Sequence, residues 1–110
     1  MSDTKINFGN LDADTFHEMI SKDPDAILID VRTPFENNQA RIPNSVLIDI
    51  NNPSFPEEID KLDKSKNYFL YCRSGSRSYY ACAYMKKIGF NNVYNLKPGI
   101  IGWKGEIEPE

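Results

Sequence analysis

A cysteine stands between an apolar stretch and a helical pattern in the second half of the chain. Residues 68–71 are largely apolar, and they lead into the run Cys72-Arg73-Ser74-Gly75-Ser76-Arg77-Ser78. At the start of a helix, several backbone N–H groups lack intrahelical partners, and the helix dipole adds partial positive charge. Both effects favour the thiolate of Cys72, and Arg73 and Arg77 add to them if they lie near the sulfur. Because the same groups can hold an oxyanion, the run predicts cysteine chemistry on a small anionic group.

Strand-like segments alternate with helical ones, which is the arrangement needed to place Cys72 at a strand end. Five segments have the composition of strands: 6–8, 26–31, 45–50, 67–71 and 92–96. The middle three are predicted to be buried on both faces. Such alternation predicts a parallel α/β sheet, in which ligands gather at the carboxyl ends of the strands, where Cys72 falls.

Helix signals fill the intervals between these segments. Asp12 is a candidate N-cap, and Thr33-Pro34-Phe35-Glu36 has the pattern of a capped turn with proline in the first helical position. A short helix is predicted over 57–62, and a longer helix follows the cysteine run and ends at Gly89. Cys82 falls on the apolar face of that longer helix, so we expect it to fill the core rather than react.

Composition limits the classes of protein and partner. The chain has 110 residues, of which 40% are hydrophobic and 12% aromatic, enough for one packed domain predicted over 1–110 with flexible ends at 1–4 and 105–110. The formal net charge is -3, without a basic stripe or polybasic helix, so neither nucleic acid nor a membrane is an expected partner. With two cysteines, no signal-peptide pattern and no apolar run of spanning length, a cytoplasmic location is expected.

Other polar and aromatic residues have simple structural interpretations. Asp30 and Arg32 end a strand near the predicted site, and Arg32 is expected to pair with Glu36 and fix the following turn. Asp30 is alternatively expected to accept hydrogen bonds from backbone N–H groups of neighbouring loops. The single histidine, His17, is expected on the surface of the first helix, so the chain offers no obvious base for a Cys–His hydrolase. Trp103 is expected to be a core or lid aromatic.

These motifs resemble those of the single-domain rhodaneses, a family of small sulfurtransferases, over nearly the whole chain. The matching segments are Leu28-Ile29-Asp30-Val31-Arg32 with Pro34 and Glu36, Arg41-Ile42-Pro43-Asn44-Ser45, the run from Tyr71 to Ser78, 89–96, and Gly99-Ile100-Ile101-Gly102-Trp103. Several segments in the right order, around a loop of the right length, are specific evidence. The resemblance implies one rhodanese-like α/β domain with a central parallel sheet of about five strands, flanked by helices on both faces.

The resemblance also implies a persulfide mechanism. Cys72 would attack the outer sulfur of a small anionic donor, such as thiosulfate, a persulfide or a polysulfide, and pass it to cyanide or to a thiol, including a protein thiol. Backbone N–H groups of the loop would ring the sulfur, and the loop residues predicted to bind substrate are Arg73, Ser74, Gly75, Ser76 and Arg77. The two arginines would hold the donor's charged end or only steer anions towards it. No metal and no organic cofactor is needed.

Two departures from the family pattern bear on substrate preference. Arg41 stands where the family usually has histidine, and Asn44 stands where it usually has glycine, although asparagine tolerates left-handed backbone well. Lys97-Pro98-Gly99 replaces a commoner pair of glycines. Because neither change touches the cysteine loop, the reaction class implied by the resemblance is unaffected.

The length of the cysteine loop separates the main alternatives. Cysteine-dependent phosphatases on a similar fold place five residues between the nucleophile and a phosphate-binding arginine, whereas four residues separate Cys72 from Arg77. A tighter ring suits a single terminal sulfur better than a phosphoryl group with three equatorial oxygens. A phosphatase or arsenate reductase on the same scaffold stays as the alternative, as does a non-catalytic sulfur-carrier or binding module.

Overall fold

A parallel sheet of five strands forms the centre of the computed structural model, which describes residues 8–109. The elements are β1 (Gly9–Leu11), α1 (Ala13–Ser21), β2 (Ile27–Asp30), α2 (Pro34–Gln39), β3 (Val46–Leu47), α3 (Phe55–Asp60), β4 (Asn67–Tyr71), α4 (Ser76–Lys87), β5 (Asn92–Leu96) and a 3-10 helix (Ile100–Gly102). The strand order is β1-β5-β4-β2-β3, and every neighbouring pair is parallel. The predicted α/β architecture is confirmed.

The central strand β4 is buried on both faces, which explains its almost continuous apolar sequence. Side chains alternate along it. Tyr68, Leu70 and Cys72 belong to the core cluster that contains residues of α3 and α4. Phe69 and Tyr71 belong to the cluster on the other face, which contains residues of α1. Cys72 therefore follows the central strand of the sheet, and its side chain lies on the face that packs against α4.

The segment predicted as a buried strand at 45–50 is different in the structure. Only Val46–Leu47 is strand, at the edge of the sheet, and Val46 is 51% exposed. Ile48 supplies the expected burial from a non-strand segment, where its N–H donates to the carbonyl of Asp30. The apolar sequence of 45–50 therefore reflects contact with the core, and it does not indicate how many residues pair as a strand. Of the first predicted strand, 6–8, residues 6 and 7 lie outside the described residues, and β1 begins after Phe8.

Local sequence signals fix the starts of α1 and α2. Asp12 caps α1, with its Oδ1 accepting from the N–H of Thr15 at 2.8 Å. Thr33 and Glu36 form a capping box at the start of α2, with Pro34 in the first turn. Both predictions are confirmed.

The carboxyl-terminal segment packs back onto the domain. The backbones of Arg41 and Glu108 exchange hydrogen bonds in an antiparallel bridge. Trp103 donates its indole N–H to the carbonyl of Glu106 at 3.0 Å and lies edge-on to Phe16. Across residues 8–109, the structure contains no helix with the length and apolar character needed to cross a bilayer.

Candidate active site

The Cys72 side chain lies at the carboxyl end of β4, under the loop that leads into α4. It is only 1% exposed, and its Sγ accepts hydrogen bonds from the N–H of Gly75 at 3.1 Å and from the hydroxyl of Ser78 at 3.3 Å. The Cys72 carbonyl accepts from the N–H of Ile100 at 2.9 Å, which fixes the backbone at this strand end. The sulfur therefore has a defined position before any substrate arrives.

The environment of Cys72 stabilises its thiolate. Burial opposes the charged form, but hydrogen bonds from the hydroxyl and N–H of Ser78, and from the N–H groups of Gly75 and Ser74, outweigh it. The pKa of the Cys72 thiol is consequently below its ordinary value. The sulfur also faces the amino-terminal end of α4, a helix of 12 residues whose dipole favours negative charge there. A buried, hydrogen-bonded thiolate of this kind can act as a nucleophile.

Two glycines lock the cysteine loop against the loop after β5. Gly75 has φ +97°, and a Cβ added there would fall on the carbonyl oxygen of Lys97. Gly99 has φ +74°, and a Cβ there would fall on the carbonyl of Arg73. Each loop therefore requires glycine where it meets the backbone of the other. Asn95, buried at the end of β5, adds a hydrogen bond from its Nδ2 to the Gly75 carbonyl at 3.1 Å.

The guanidinium of Arg77 forms a two-pronged ion pair with the carboxylate of Glu36. Its Nη1 and Nη2 each donate to one Glu36 oxygen at 2.8 Å. The hydrogen bonds from Arg77 lower the pKa of Glu36 to about 2. The pKa of Arg77 is raised, first by its hydrogen bonds to Glu36, and the negative charges of Cys72 and Asp30 add to this effect. Arg77 is thus held in the vicinity of the sulfur as half of a closed pair.

A second closed pair lies behind the site, and it corrects the expected pairing of Arg32 with Glu36. Arg32 instead binds Asp30, with its Nε at 2.9 Å from Oδ1 and its Nη2 at 2.8 Å from Oδ2. Asp30 Oδ1 also accepts from the Arg32 N–H at 2.9 Å. The two residues are two positions apart, so their side chains lie on the same side of the strand end. Tyr71 donates its hydroxyl to Asp30 Oδ2 at 3.2 Å. Glu36 is left to face α4 and Arg77.

The side chains of the other predicted loop residues lie on the outer side of the loop. Arg73, Ser74 and Ser76 are exposed, and within residues 8–109 Arg73 forms no ion pair. Ser78 contacts the sulfur most directly among the hydroxyl groups, although the sequence interpretation did not assign it a role. Its position in the first turn of α4, six residues after Cys72, is the signal that could have identified it.

Comparison with known protein families matches residues 12–106 to the Rhodanese-like domain. The chain belongs to the rhodanese-like domain family. The sequence-based resemblance is thereby confirmed.

Individual relatives of this rhodanese-like domain carry sulfurtransferase names. A sulfurtransferase of Allochromatium vinosum is 36% identical over 93 residues, covering 84% of this chain and 85% of the relative. The putative sulfurtransferase YtwF of Bacillus subtilis is 40% identical over 93 residues, covering 84% and 87%. A solved rhodanese-related protein from Thermoplasma volcanium superposes with a TM-score of 0.79 at 28% identity, covering 94% of this chain and 100% of that one.

Similar segments also occur inside longer proteins. The tRNA uridine(34) hydroxylase of Cytophaga hutchinsonii is 38% identical over 101 residues, which is 89% of this chain but 32% of the relative. A segment similar to this chain is therefore one part of a longer relative.

Cys82 of the rhodanese-like domain belongs to the same core cluster as Cys72, whereas Trp103 lies on the other face of the sheet. Cys82 is fully buried in α4, and burial raises the pKa of its thiol, as expected for a core residue. Trp103 lies edge-on to His17, with ring centroids 5.1 Å apart, and its cluster lies on the face of the sheet opposite Cys72. The two rings line a cleft of about 620 Å³ on the α1 side, which contains none of the cysteine loop.

Proposed function

We propose that this rhodanese-like domain is a sulfurtransferase that carries a sulfane sulfur as a Cys72 persulfide. The observation that supports this most strongly is the buried Cys72 sulfur, with the Gly75 N–H and the Ser78 hydroxyl both directed at Sγ. The names of the relatives from Allochromatium vinosum and Bacillus subtilis point to the same class of reaction.

The reaction proceeds in two displacement steps. In the first, the Cys72 thiolate attacks the outer sulfur of thiosulfate or of a hydropersulfide; the new S–S bond forms as the donor's S–S bond breaks, and sulfite or a thiolate leaves. In the second, cyanide or an acceptor thiolate attacks the outer sulfur of the persulfide, and the Cys72 thiolate leaves. Thiocyanate or a new persulfide is released, and the protein returns to its starting state.

The donors around Sγ suit both intermediates. N–H and O–H groups stabilise the negative charge of the resting thiolate, and the same groups can stabilise a terminal persulfide anion. Because these donors are fixed by the strand end and by the first turn of α4, little reorganisation is needed between the two steps.

The ion pair of Arg77 weighs against the phosphatase alternative. A phosphate-binding arginine needs both prongs of its guanidinium for the phosphoryl oxygens, but Glu36 already occupies both prongs of Arg77 at 2.8 Å. The loop is also one residue shorter than the phosphatase pattern requires, with four residues between Cys72 and Arg77. Sulfur transfer through Cys72 requires neither a free phosphate-binding arginine nor the longer loop.

The deciding experiment measures thiocyanate formation from thiosulfate and cyanide, together with the intact mass of the protein after exposure to each sulfur donor alone. The parent chain is compared with Cys72→Ser and with the matched control Cys82→Ala, which removes the buried thiol without leaving a hydroxyl unpaired in the core. We expect one added sulfur atom and turnover in the parent and in Cys82→Ala, and neither in Cys72→Ser. A folded parent chain that gains no sulfur from any donor would exclude the proposal, and aryl phosphate and arsenate would then be tested.

A further inference from the structure

The cations of the cysteine loop are not equally available to a substrate. Arg77 gives both prongs of its guanidinium to Glu36, and the two side chains are only 31% and 24% exposed. Arg32, the other arginine near this strand end, is closed onto Asp30, with side chains 5% and 0% exposed. Within the described residues, Arg73 is the loop cation that lacks a carboxylate partner.

The hydrogen-bond donors that touch the sulfur are uncharged. Gly75 offers an N–H at 3.1 Å and Ser78 offers a hydroxyl at 3.3 Å. This set can stabilise one negative charge on a sulfur atom. Apart from the exposed Arg73, the loop offers a guanidinium to the second charge of a dianionic donor only if the pair of Arg77 and Glu36 opens.

Opening that pair is costly. A two-pronged pair of charge-assisted hydrogen bonds would be lost, and the Glu36 carboxylate would be left partly buried without its partner. That bare carboxylate would lie beside an incoming anion and repel it. A donor with little or no charge beyond the transferred sulfur avoids both penalties.

We propose that Glu36 determines donor specificity: by holding Arg77 in a neutral pair, it disfavours the dianion thiosulfate relative to a hydropersulfide. The inference rests on the proposed sulfur transfer through Cys72. In the favoured reaction the Cys72 thiolate attacks the outer sulfur of R–S–SH, the donor's S–S bond breaks, and RS⁻ leaves with the electron pair of that bond. The persulfide on Cys72 keeps the proton or releases it to solvent.

The substitution Glu36→Gln removes the negative charge of the side chain and keeps its size and shape. Glutamine is accepted at the third position of a capping box, so α2 can keep its cap with Thr33. The amide oxygen can still accept from one prong of the Arg77 guanidinium, while the other prong is released and the positive charge is no longer neutralised. Arg77 then adds attraction for a dianion without a change in the donors around Cys72.

The experiment measures the second-order rate constant for adding one sulfur atom to Cys72, by intact mass, with two donors. The donors are thiosulfate and the hydropersulfide of N-acetylcysteine methyl ester generated in situ. In Glu36→Gln we expect the ratio of the thiosulfate rate constant to the hydropersulfide rate constant to rise about tenfold, as for a charge that steers an anion, and the rise to shrink with added salt. The ratio is compared only between variants whose circular dichroism spectrum matches that of the parent chain.

Two further variants complete the test. Glu18→Gln removes a carboxylate from the exposed pair with Lys22 and should leave the ratio unchanged. Adding Arg77→Gln to Glu36→Gln should abolish the rise, because the effect depends on the released guanidinium. If both donors load Cys72 but Glu36→Gln does not change the ratio, the specificity role is overturned while sulfur transfer stands. If neither donor loads Cys72 in the parent chain, both proposals fail.

Discussion

The hydroxyl of Ser78 donates a hydrogen bond to Cys72 Sγ at 3.3 Å from the first turn of α4. The sulfur is therefore held from two directions, by the loop through Gly75 and by the helix through Ser78. Because Ser78 is fully buried, water cannot replace its hydroxyl without a change in packing. The reactivity of the thiol is coupled in this way to the position of the helix.

Replacing Ser78 with alanine should raise the pKa of the Cys72 thiol. A hydrogen bond to a charged group contributes roughly 1.5–3 kcal/mol, so its loss should raise the pKa by roughly one to two units. The measurement is the pH dependence of alkylation by iodoacetamide, made in a Cys82→Ala background. Ser76→Ala, which removes an exposed hydroxyl from the same loop, should leave the pKa unchanged. An equal pKa in Ser78→Ala and the parent would show that the hydroxyl does not stabilise the thiolate.

Replacing Asp30 with asparagine should strongly destabilise the fold. The substitution leaves the Arg32 guanidinium, 5% exposed, without a counter-charge. Breaking a buried pair in this way costs about 3–5 kcal/mol, a large part of the stability of a small domain. Urea unfolding followed by circular dichroism measures the loss. Glu18→Gln, which breaks the exposed pair with Lys22, should change stability little, and similar midpoints for the two variants would contradict the expectation.

The pair of Glu36 and Arg77 should make acid stability depend on Glu36. Hydrogen bonds from Arg77 lower the pKa of Glu36 from 4.5 to about 2, so the folded state binds the Glu36 proton less readily than the unfolded chain does. The resulting stabilisation is fully present above pH 4.5 and is lost as the pH falls towards 2. The free energies of unfolding of the parent and Glu36→Gln should therefore differ most above this window and converge within it. A difference that stays constant across the window would mean that the pair does not shift the titration.

At position 44, replacing asparagine with glycine should lower stability less than replacing it with alanine. The φ of Asn44 is +68°, in the left-handed region where a Cβ is unfavourable and where asparagine is more easily accommodated than most residues. Asn44→Ala should lower the free energy of unfolding by about 1 kcal/mol, and Asn44→Gly by less. Thermal unfolding of the two variants side by side provides the comparison. A less stable glycine variant would place the importance of Asn44 in its side chain and not in its backbone conformation.

Features determined by near neighbours in the chain could be predicted from the sequence. The caps at Asp12 and Thr33 depend on residues three positions away, and the strand before Cys72 has an apolar sequence of the right length. The positive φ of Asn44 follows from its place in a family pattern that usually has glycine. Each of these rests on a local energy term that tertiary packing does not oppose.

Side-chain pairing between elements could not be predicted in the same way. Glu36 and Arg77 are 41 residues apart, and the sequence offered the nearer Arg32 as a partner for Glu36. Arg32 pairs instead with Asp30, which lies two residues away and accepts from both the N–H and the guanidinium of Arg32. The run at 45–50 was overestimated as a strand because burial of Ile48 without strand pairing produces the same apolar pattern.

The interlocked glycines make the cysteine loop a poor candidate for transplantation on its own. Gly75 fits against the carbonyl of Lys97, and Gly99 fits against the carbonyl of Arg73. A scaffold that received only residues 72–77 would lack the surface that holds the Gly75 N–H towards the sulfur. Residues 95–99 would have to move with them, and variation in either segment during evolution or in a mutant library is constrained by the other.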